Sequence, residues 1–245
     1  MAYLRPTPLE LTGGCFCSAI KYKISIPSLT DRPLVPGALD TPLLEHASHA
    51  DHSSRQVSSD GSAPTRLPLI PLDHCSDCRR ILGAIVQCWL ICPQTWVKWD
   101  LLHKTSSASP SEESRSTLST DEVVYSDTHY LSAFQSTPDD GTNGCVTRTF
   151  CSRCGTTLTF AFKASDGSMS RSLSAIDVGE GEVGEEFPAL VNVTVGSLDH
   201  ASLEKVRPDR QGWWDYGVGW VKELLSRGDG GLMRHNGDAG SRVGE

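Results

Sequence analysis

Residues 150–162 read Phe150-Cys151-Ser152-Arg153-Cys154-Gly155-Thr156-Thr157-Leu158-Thr159-Phe160-Ala161-Phe162, and this stretch decides the fold. It opens with a CxxC turn closed by a glycine and runs straight into a segment of strand character. Such a turn suits zinc. Its two thiolates converge on one ion about 2.3 Å from each sulfur, and backbone amides of the turn offset their charge. Gly155 supplies the left-handed backbone conformation that these turns often require.

Two more close cysteine pairs lie upstream. Gly13-Gly14-Cys15-Phe16-Cys17 precedes Ala19-Ile20-Lys21-Tyr22-Lys23-Ile24, whose apolar–polar alternation marks a half-buried strand. Asp73-His74-Cys75-Ser76-Asp77-Cys78-Arg79-Arg80 carries a second CxxC. Further strands are expected over 84–91, 122–125, 147–150, 157–162 and 190–195, and a helix over 218–226 that stops at Gly228. The expectation is a mainly β chain of short strands joined by metal-binding turns.

Composition narrows the class. The chain has 245 residues, with 30 acidic and 22 basic side chains and a formal net charge of −8. That balance argues against a nucleic-acid partner, which needs a basic face to replace phosphate counterions. No stretch approaches the roughly 20 apolar residues that cross a bilayer, and the N-terminus lacks the apolar run of a secretory signal. A reducing, cytoplasmic setting with a small-molecule partner is expected, and there paired cysteines are more often metal ligands than disulfides. The nine cysteines are an odd number and cannot all close into intramolecular disulfides.

Three stretches poor in large apolar residues read as flexible insertions: about 28–67, 104–120 and 164–186. The first holds His46, His49 and His52, read as solvated loop histidines. The reading is one domain over 9–226 with these insertions, then a disordered tail over 227–245. Neither CxxC sits in the βαβ context of a thioredoxin-like redox site, so metal is the better reading of the six paired thiols. Six thiols fill one closed four-sulfur site and leave two for a site with an open position, although spacing does not say which pairs combine. Cys88 and Cys92 read as buried small hydrophobes, and Cys145 as an exposed thiol in a Gly-Thr-Asn-Gly turn. Trp213, Trp214, Tyr216 and Trp220 read as aromatic residues capping the core, the alternative being that they line a ligand pocket or a partner surface.

In order along the chain, Gly-Gly-Cys-x-Cys-x-Ala-Ile-x-Tyr, His-Cys-x-x-Cys-Arg-Arg, Arg-x-Phe-Cys-x-x-Cys-Gly-x-x-Leu-x-Phe and a late Val193-Thr194-Val195-Gly196-Ser197-Leu198-Asp199 resemble the glutathione-dependent formaldehyde-activating enzyme (Gfa)/centromere protein V family. The resemblance covers 11–26, 71–99, 145–162 and 190–225. It implies a β-tent of small antiparallel sheets pinned by zinc. It also implies that Cys15, Cys17, Cys151 and Cys154 hold a closed structural zinc, while Cys75 and Cys78 belong to an open, catalytic-type site. The family's usual motif there is C-H-C-x-x-C, and here Asp73 stands in the place of its first cysteine. A carboxylate also ligates zinc, so Asp73, Cys75 and Cys78 are the expected open-site ligands, with His74 beside them as a structural residue. Arg79 and Arg80 are expected to receive a substrate carboxylate, such as those of glutathione.

The activity implied is zinc-dependent carbon–sulfur lyase chemistry on a thiol adduct of an aldehyde, with glutathione as co-substrate. Two other functions suit the same residues. One is a zinc Lewis-acid enzyme acting on a larger carbonyl metabolite without glutathione, by dehydration, addition or isomerisation. The other is a non-catalytic zinc-stabilised binding module.

Overall fold

The computed structural model describes residues 4–36, 41–42, 62–104, 114–125, 128–136, 144–164 and 187–227. Their strands are β1 (Leu9–Gly14), β2 (Ile20–Ile26), β3 (Thr41–Pro42), β4 (Ser62–Ala63), β5 (Pro71–Asp73), β6 (Gln87–Pro93) and β7 (Val97–Leu102). There follow β8 (Arg115–Leu118), β9 (Leu131–Ser136), β10 (Gly144–Cys151), β11 (Thr157–Ala164), β12 (Leu190–Thr194) and β13 (Arg210–Gly212). The helices are short: α1 (Ser76–Leu82), α2 (Thr120–Tyr125), α3 (His200–Leu203) and α4 (Gly219–Arg227). The chain is mainly β, as expected.

One sheet runs β1-β2-β7-β8; a larger one runs β13-β5-β6-β12-β11-β10-β9; β3 and β4 pair separately. All pairings within them are antiparallel except β13 with β5. The main core draws on both sheets. On β2 the residues Ile20, Tyr22, Ile24 and Ile26 are buried in strict alternation with exposed neighbours, as a sheet with one wet face requires. The central strand β6 is apolar on both faces. Leu90 and Cys92 enter the main core, while Trp89 and Ile91 join a second cluster with Val35, Leu67, Leu69, Cys78, Phe187 and Leu190. That second cluster carries Cys78, and so forms the floor of the Asp73/Cys75/Cys78 site.

Several sequence expectations are corrected. Residues 122–125 are helical, not strand: Glu122 reaches back to the residue before the helix as in one half of a capping box, its Oε2 accepting from the Ser119 amide and hydroxyl, each at 2.7 Å. The strand expected from residue 84 begins at Gln87. The insertion over 28–67 is packed at both ends, with Val35 and Leu67 in the second cluster and Arg32 buried, its Nε donating to the Pro27 carbonyl. The insertion over 104–120 contains β8, which adds to the edge of β7, where Arg115 Nε donates to both carboxylate oxygens of Asp100 at 2.9 Å. Cys145 lies in β10 opposite Lys163, half-buried, rather than in a turn. Helix α4 falls where expected. His46, His49, His52, Gly228, most of the third insertion and the tail beyond residue 227 lie outside the described residues. Among the described residues no helix is long and apolar enough to cross a membrane.

Candidate metal centres

The closed site joins the two sheets. Cys15 and Cys17 leave the end of β1; Cys151 ends β10 and Cys154 follows in the turn to β11. All four sulfurs lie within 4.8 Å of one another. Two separations are resolved: Cys15 Sγ to Cys17 Sγ is 3.5 Å, and Cys17 Sγ to Cys151 Sγ is 3.7 Å. A tetrahedron with zinc–sulfur bonds of about 2.3 Å has sulfur–sulfur edges of about 3.8 Å, so the thiols present fit zinc. The turn is built as its sequence requires. Gly155 adopts φ 76°, and its amide donates to the Cys151 carbonyl at 2.8 Å.

The surroundings favour thiolates. The Ile20 amide donates to Cys15 Sγ at 3.2 Å, and the Thr156 hydroxyl lies 3.3 Å from Cys154 Sγ. Burial opposes ionisation of Cys154, but the Thr156 hydroxyl and the amides of Thr156 and Cys17 outweigh it and bring the thiol down to about 6. Burial holds the Cys15 and Cys151 thiols up in the metal-free protein. A bound zinc would neutralise the thiolate charge and let all four ionise together.

The second centre lies where β5 ends. Asp73, Cys75 and Cys78 each offer one ligand atom, and these atoms lie within 4.8 Å of one another. The grouping follows from local structure. Asp73 closes an Asx turn, its Oδ1 accepting from the Cys75 amide at 2.7 Å, and the turn launches α1, whose first turn carries Cys78. Asp73 Oδ2 accepts from Trp89 Nε1 at 3.1 Å, across the β5–β6 pairing. With a further hydrogen bond from the Cys78 thiol, the carboxylate keeps one free acceptor site in the metal-free protein, and a second once that thiol is deprotonated as a ligand. Asp73 and Cys78 are each only 4% exposed, whereas Cys75 is half-buried on the open side.

The two thiols share one charge. The hydrogen bond from Cys78 brings the Cys75 thiol down to about 6, while the same contact and burial push Cys78 far up. Burial raises the Asp73 carboxyl, against hydrogen bonds from the Cys75 amide, the Cys78 thiol and the Trp89 indole. Three donors with a half-exposed thiol on one side fit a zinc that keeps a fourth position free.

Other expected site residues divide. His74 stays out of the donor set. It is 1% exposed and locked from several directions: its amide donates to the Gly212 carbonyl at 3.0 Å, its Nε2 lies 2.8 Å from Gln211 Oε1, and its ring meets Trp214 edge-on at 5.1 Å. Arg79 is half-buried and its Nε is buried with no hydrogen-bond partner, whereas Arg80 is exposed. Cys92 is fully buried, and Cys88 is half-buried against the core with its thiol pushed up to about 12 by burial.

Two features were missed in the sequence. Arg148 on β10 is 5% exposed and stacks on the Phe160 ring at 5.1 Å. Its Nη1 donates to Ser136 Oγ at 2.9 Å, yet its Nε has no partner, and its charge draws the Cys78 thiol downward. A buried guanidinium near Cys78 offsets negative charge on that thiol. The only signal in the sequence was its place in Arg148-Thr149-Phe150-Cys151. The second feature is the C-terminal aromatic segment, which does not cap the core as expected. Trp214 is half-buried against His74, but Trp213, Tyr216 and Trp220 are 42%, 64% and 55% exposed. Trp213 also adopts φ 53°, ψ 39°, a left-handed conformation that costs an L residue roughly 1–2 kcal/mol.

Compared with known proteins, the chain matches no protein-family model and no curated protein sequence.

Proposed function

We propose that the protein is a zinc enzyme of the glutathione-dependent formaldehyde-activating type, with Cys15, Cys17, Cys151 and Cys154 as a structural centre and Asp73, Cys75 and Cys78 as an open one. The carrying observation is the contrast between the two donor groups: four converging thiols in one, three donors with a half-exposed thiol in the other. Zinc at the open centre would supply Lewis acidity, lowering the pKa of a thiol or polarising a carbonyl at its free position.

The chain's own residues then have defined tasks in carbon–sulfur bond formation. Cys75, Cys78 and one oxygen of Asp73 would hold the metal, and Trp89 and the Cys75 amide fix the Asp73 carboxylate. The free lone pair of that carboxylate accepts the proton of the incoming thiol. As sulfur attacks the carbonyl carbon, the C–S bond forms, the C=O π bond breaks, and Asp73 returns the proton to the oxygen. The reverse sequence is the lyase direction. Arg79, with its unpartnered Nε, and the exposed Arg80 are the groups that receive carboxylates of glutathione. Arg148 offsets negative charge on Cys78.

A second reading has its own support. Exposed Trp213, Tyr216 and Trp220 lie on the segment packed against His74, and they suit a larger, apolar carbonyl compound handled by the same open centre without glutathione.

The test is formation and breakdown of S-hydroxymethylglutathione, followed by NMR, in wild type, Cys75→Ser and Asp73→Asn. The proposal expects turnover in the wild type and its loss in both variants. A wild type holding one zinc, together with a Cys75→Ser variant that keeps every measured activity, overturns it.

A further inference from the structure

We propose that Trp213, Tyr216 and Trp220 form an aromatic shelf beside the Asp73/Cys75/Cys78 centre, and that it binds a flat aromatic small molecule whose carbonyl oxygen faces the open metal position. The inference rests on the second reading above, in which the open centre takes a larger carbonyl compound, and names the class of that compound.

Placement comes from the register. Strand β13 runs parallel to β5 with Gly212 opposite Asp73, so Trp213 is the first residue beyond the donor's own partner. The segment is then clamped down. Trp214 lies edge-on to His74, Lys222 Nζ sits 5.1 Å from the centre of the Trp214 ring, and a Cβ at Gly217 would come within 2.8 Å of His74 Nδ1. A rigid piece of chain thus borders the donor set.

What that rigid piece presents is unusual for a structural element. Trp213 and Tyr216 pair at 5.8 Å between ring centres, inclined by 68°, with both rings substantially in solvent, and Trp220 follows on α4. Trp213 occupies a backbone conformation suited to glycine, so the fold bears strain there to present a ring that it barely buries. Strain of this kind held next to a cluster of metal donors is the mark of a ligand-binding position.

Size identifies the occupant. At ~250 Å² for a full aromatic side chain, the three rings expose together at most about 400 Å². A stable protein partner needs about 800 Å² from each side, so the shelf is too small for a second copy of the chain. It is ample to cover one face of a fused two-ring compound. The oxygen of such a ligand would turn toward the donor set, where Arg79 Nε and Arg148 Nε are buried without partners.

The experiment compares 2-acetylnaphthalene with cyclohexyl methyl ketone, which offers the same oxygen on a non-planar ring, by saturation-transfer NMR and calorimetry. The expected result is at least tenfold tighter binding of the naphthyl ketone. Trp213→Gly and Tyr216→Ala should each weaken it about tenfold, with zinc content unchanged and the melting temperature of Trp213→Gly equal to or above wild type. Equal affinity for the two ketones, unchanged affinity in both variants, or a steep loss of thermal stability in Trp213→Gly overturns the proposal. So does a concentration-dependent dimer, seen by sedimentation, that the same substitutions dissociate. The comparison is repeated in Cys75→Ser, which retains the four-thiol centre. Ring preference surviving there while the wild type holds a single zinc would sink the open-centre reading and leave the shelf standing.

Discussion

The indole of Trp89 donates to Oδ2 of Asp73 at 3.1 Å, so a core tryptophan on β6 orients the carboxylate that stands where the resembling family has a cysteine. The same ring is tilted against Phe160 at 5.8 Å, and Phe160 in turn carries the Arg148 guanidinium. A chain of contacts therefore runs from Asp73 to the buried Arg148, whose charge acts on Cys78. Asp73 is held as an outer-sphere partner holds a ligand, which gives its aspartate a defined geometry.

Trp89→Phe should keep the packing and remove the hydrogen bond. Leaving Oδ2 short of a donor in a buried place costs about 1–3 kcal/mol. Loss of such a supporting contact should weaken zinc at the open centre by about 10–100-fold and leave the four-thiol centre untouched. Competition against a chromophoric chelator reads both affinities.

Cys151→Ser should cost far more than any change at the open centre. It breaks the link between the end of β1 and the end of β10 and leaves three thiols around the metal. A loss of about 3 kcal/mol or more is expected, which lowers the melting temperature of a chain this size by roughly 6–12 °C. Prolonged chelation of the wild type should do the same. Thermal unfolding followed by circular dichroism checks both.

Thiol reactivity should follow the shared charge of Cys75 and Cys78. With the open centre stripped of metal, Cys75, drawn down to about 6, is mostly thiolate at pH 7. Its alkylation by iodoacetamide should be fast at neutral pH and slow as the pH falls through about 6, because the thiolate is the nucleophile. Cys88, with its thiol at about 12, should remain unlabelled. Zinc should protect Cys75. Peptide mass spectrometry of timed samples gives the rates.

Gly217→Ala and Gly219→Ala make a matched pair. The new Cβ at 217 would lie 2.8 Å from His74 Nδ1 and 3.0 Å from the Trp214 carbonyl, whereas at 219 it meets nothing within 4 Å. The first should destabilise by about 1–3 kcal/mol through overpacking. The second, at the start of α4, should be neutral or stabilise by up to about 1 kcal/mol. Urea unfolding of both variants measures the difference.

The cysteine pairs were legible in the sequence because their geometry is local, whereas the joining of Cys15 and Cys17 to Cys151 and Cys154, far apart in the chain, followed only from the family resemblance. A CxxC turn with Gly155 carries its own geometry, and the Asx turn at Asp73 places Cys75 and Cys78 within a few residues. The alternation of β2 was legible for the same reason. What escaped depends on distant partners. Strand β8, Arg-Ser-Thr-Leu, lies in a serine-rich stretch with no apolar period, and exists because β7 offers an edge and Asp100 receives Arg115. Arg148 reads as one polar residue in a strand until β11 and the donor set are folded around it. Trp213 to Trp220 look like core caps because composition does not reveal that β13 adds to β5 and turns them outward. Helix α2 is a different case. Its capping pair, Ser119 with Glu122, was present in the sequence, but the run Glu122-Val123-Val124-Tyr125 drew the strand reading instead.

Elemental analysis of zinc per chain tests the central claim most directly, in wild type, Cys75→Ser and Asp73→Cys. The account predicts two zincs in the wild type, one in Cys75→Ser and two in Asp73→Cys. One zinc in the wild type, rising to two only in Asp73→Cys, would contradict it, because aspartate at position 73 would then have closed the open centre rather than completed it.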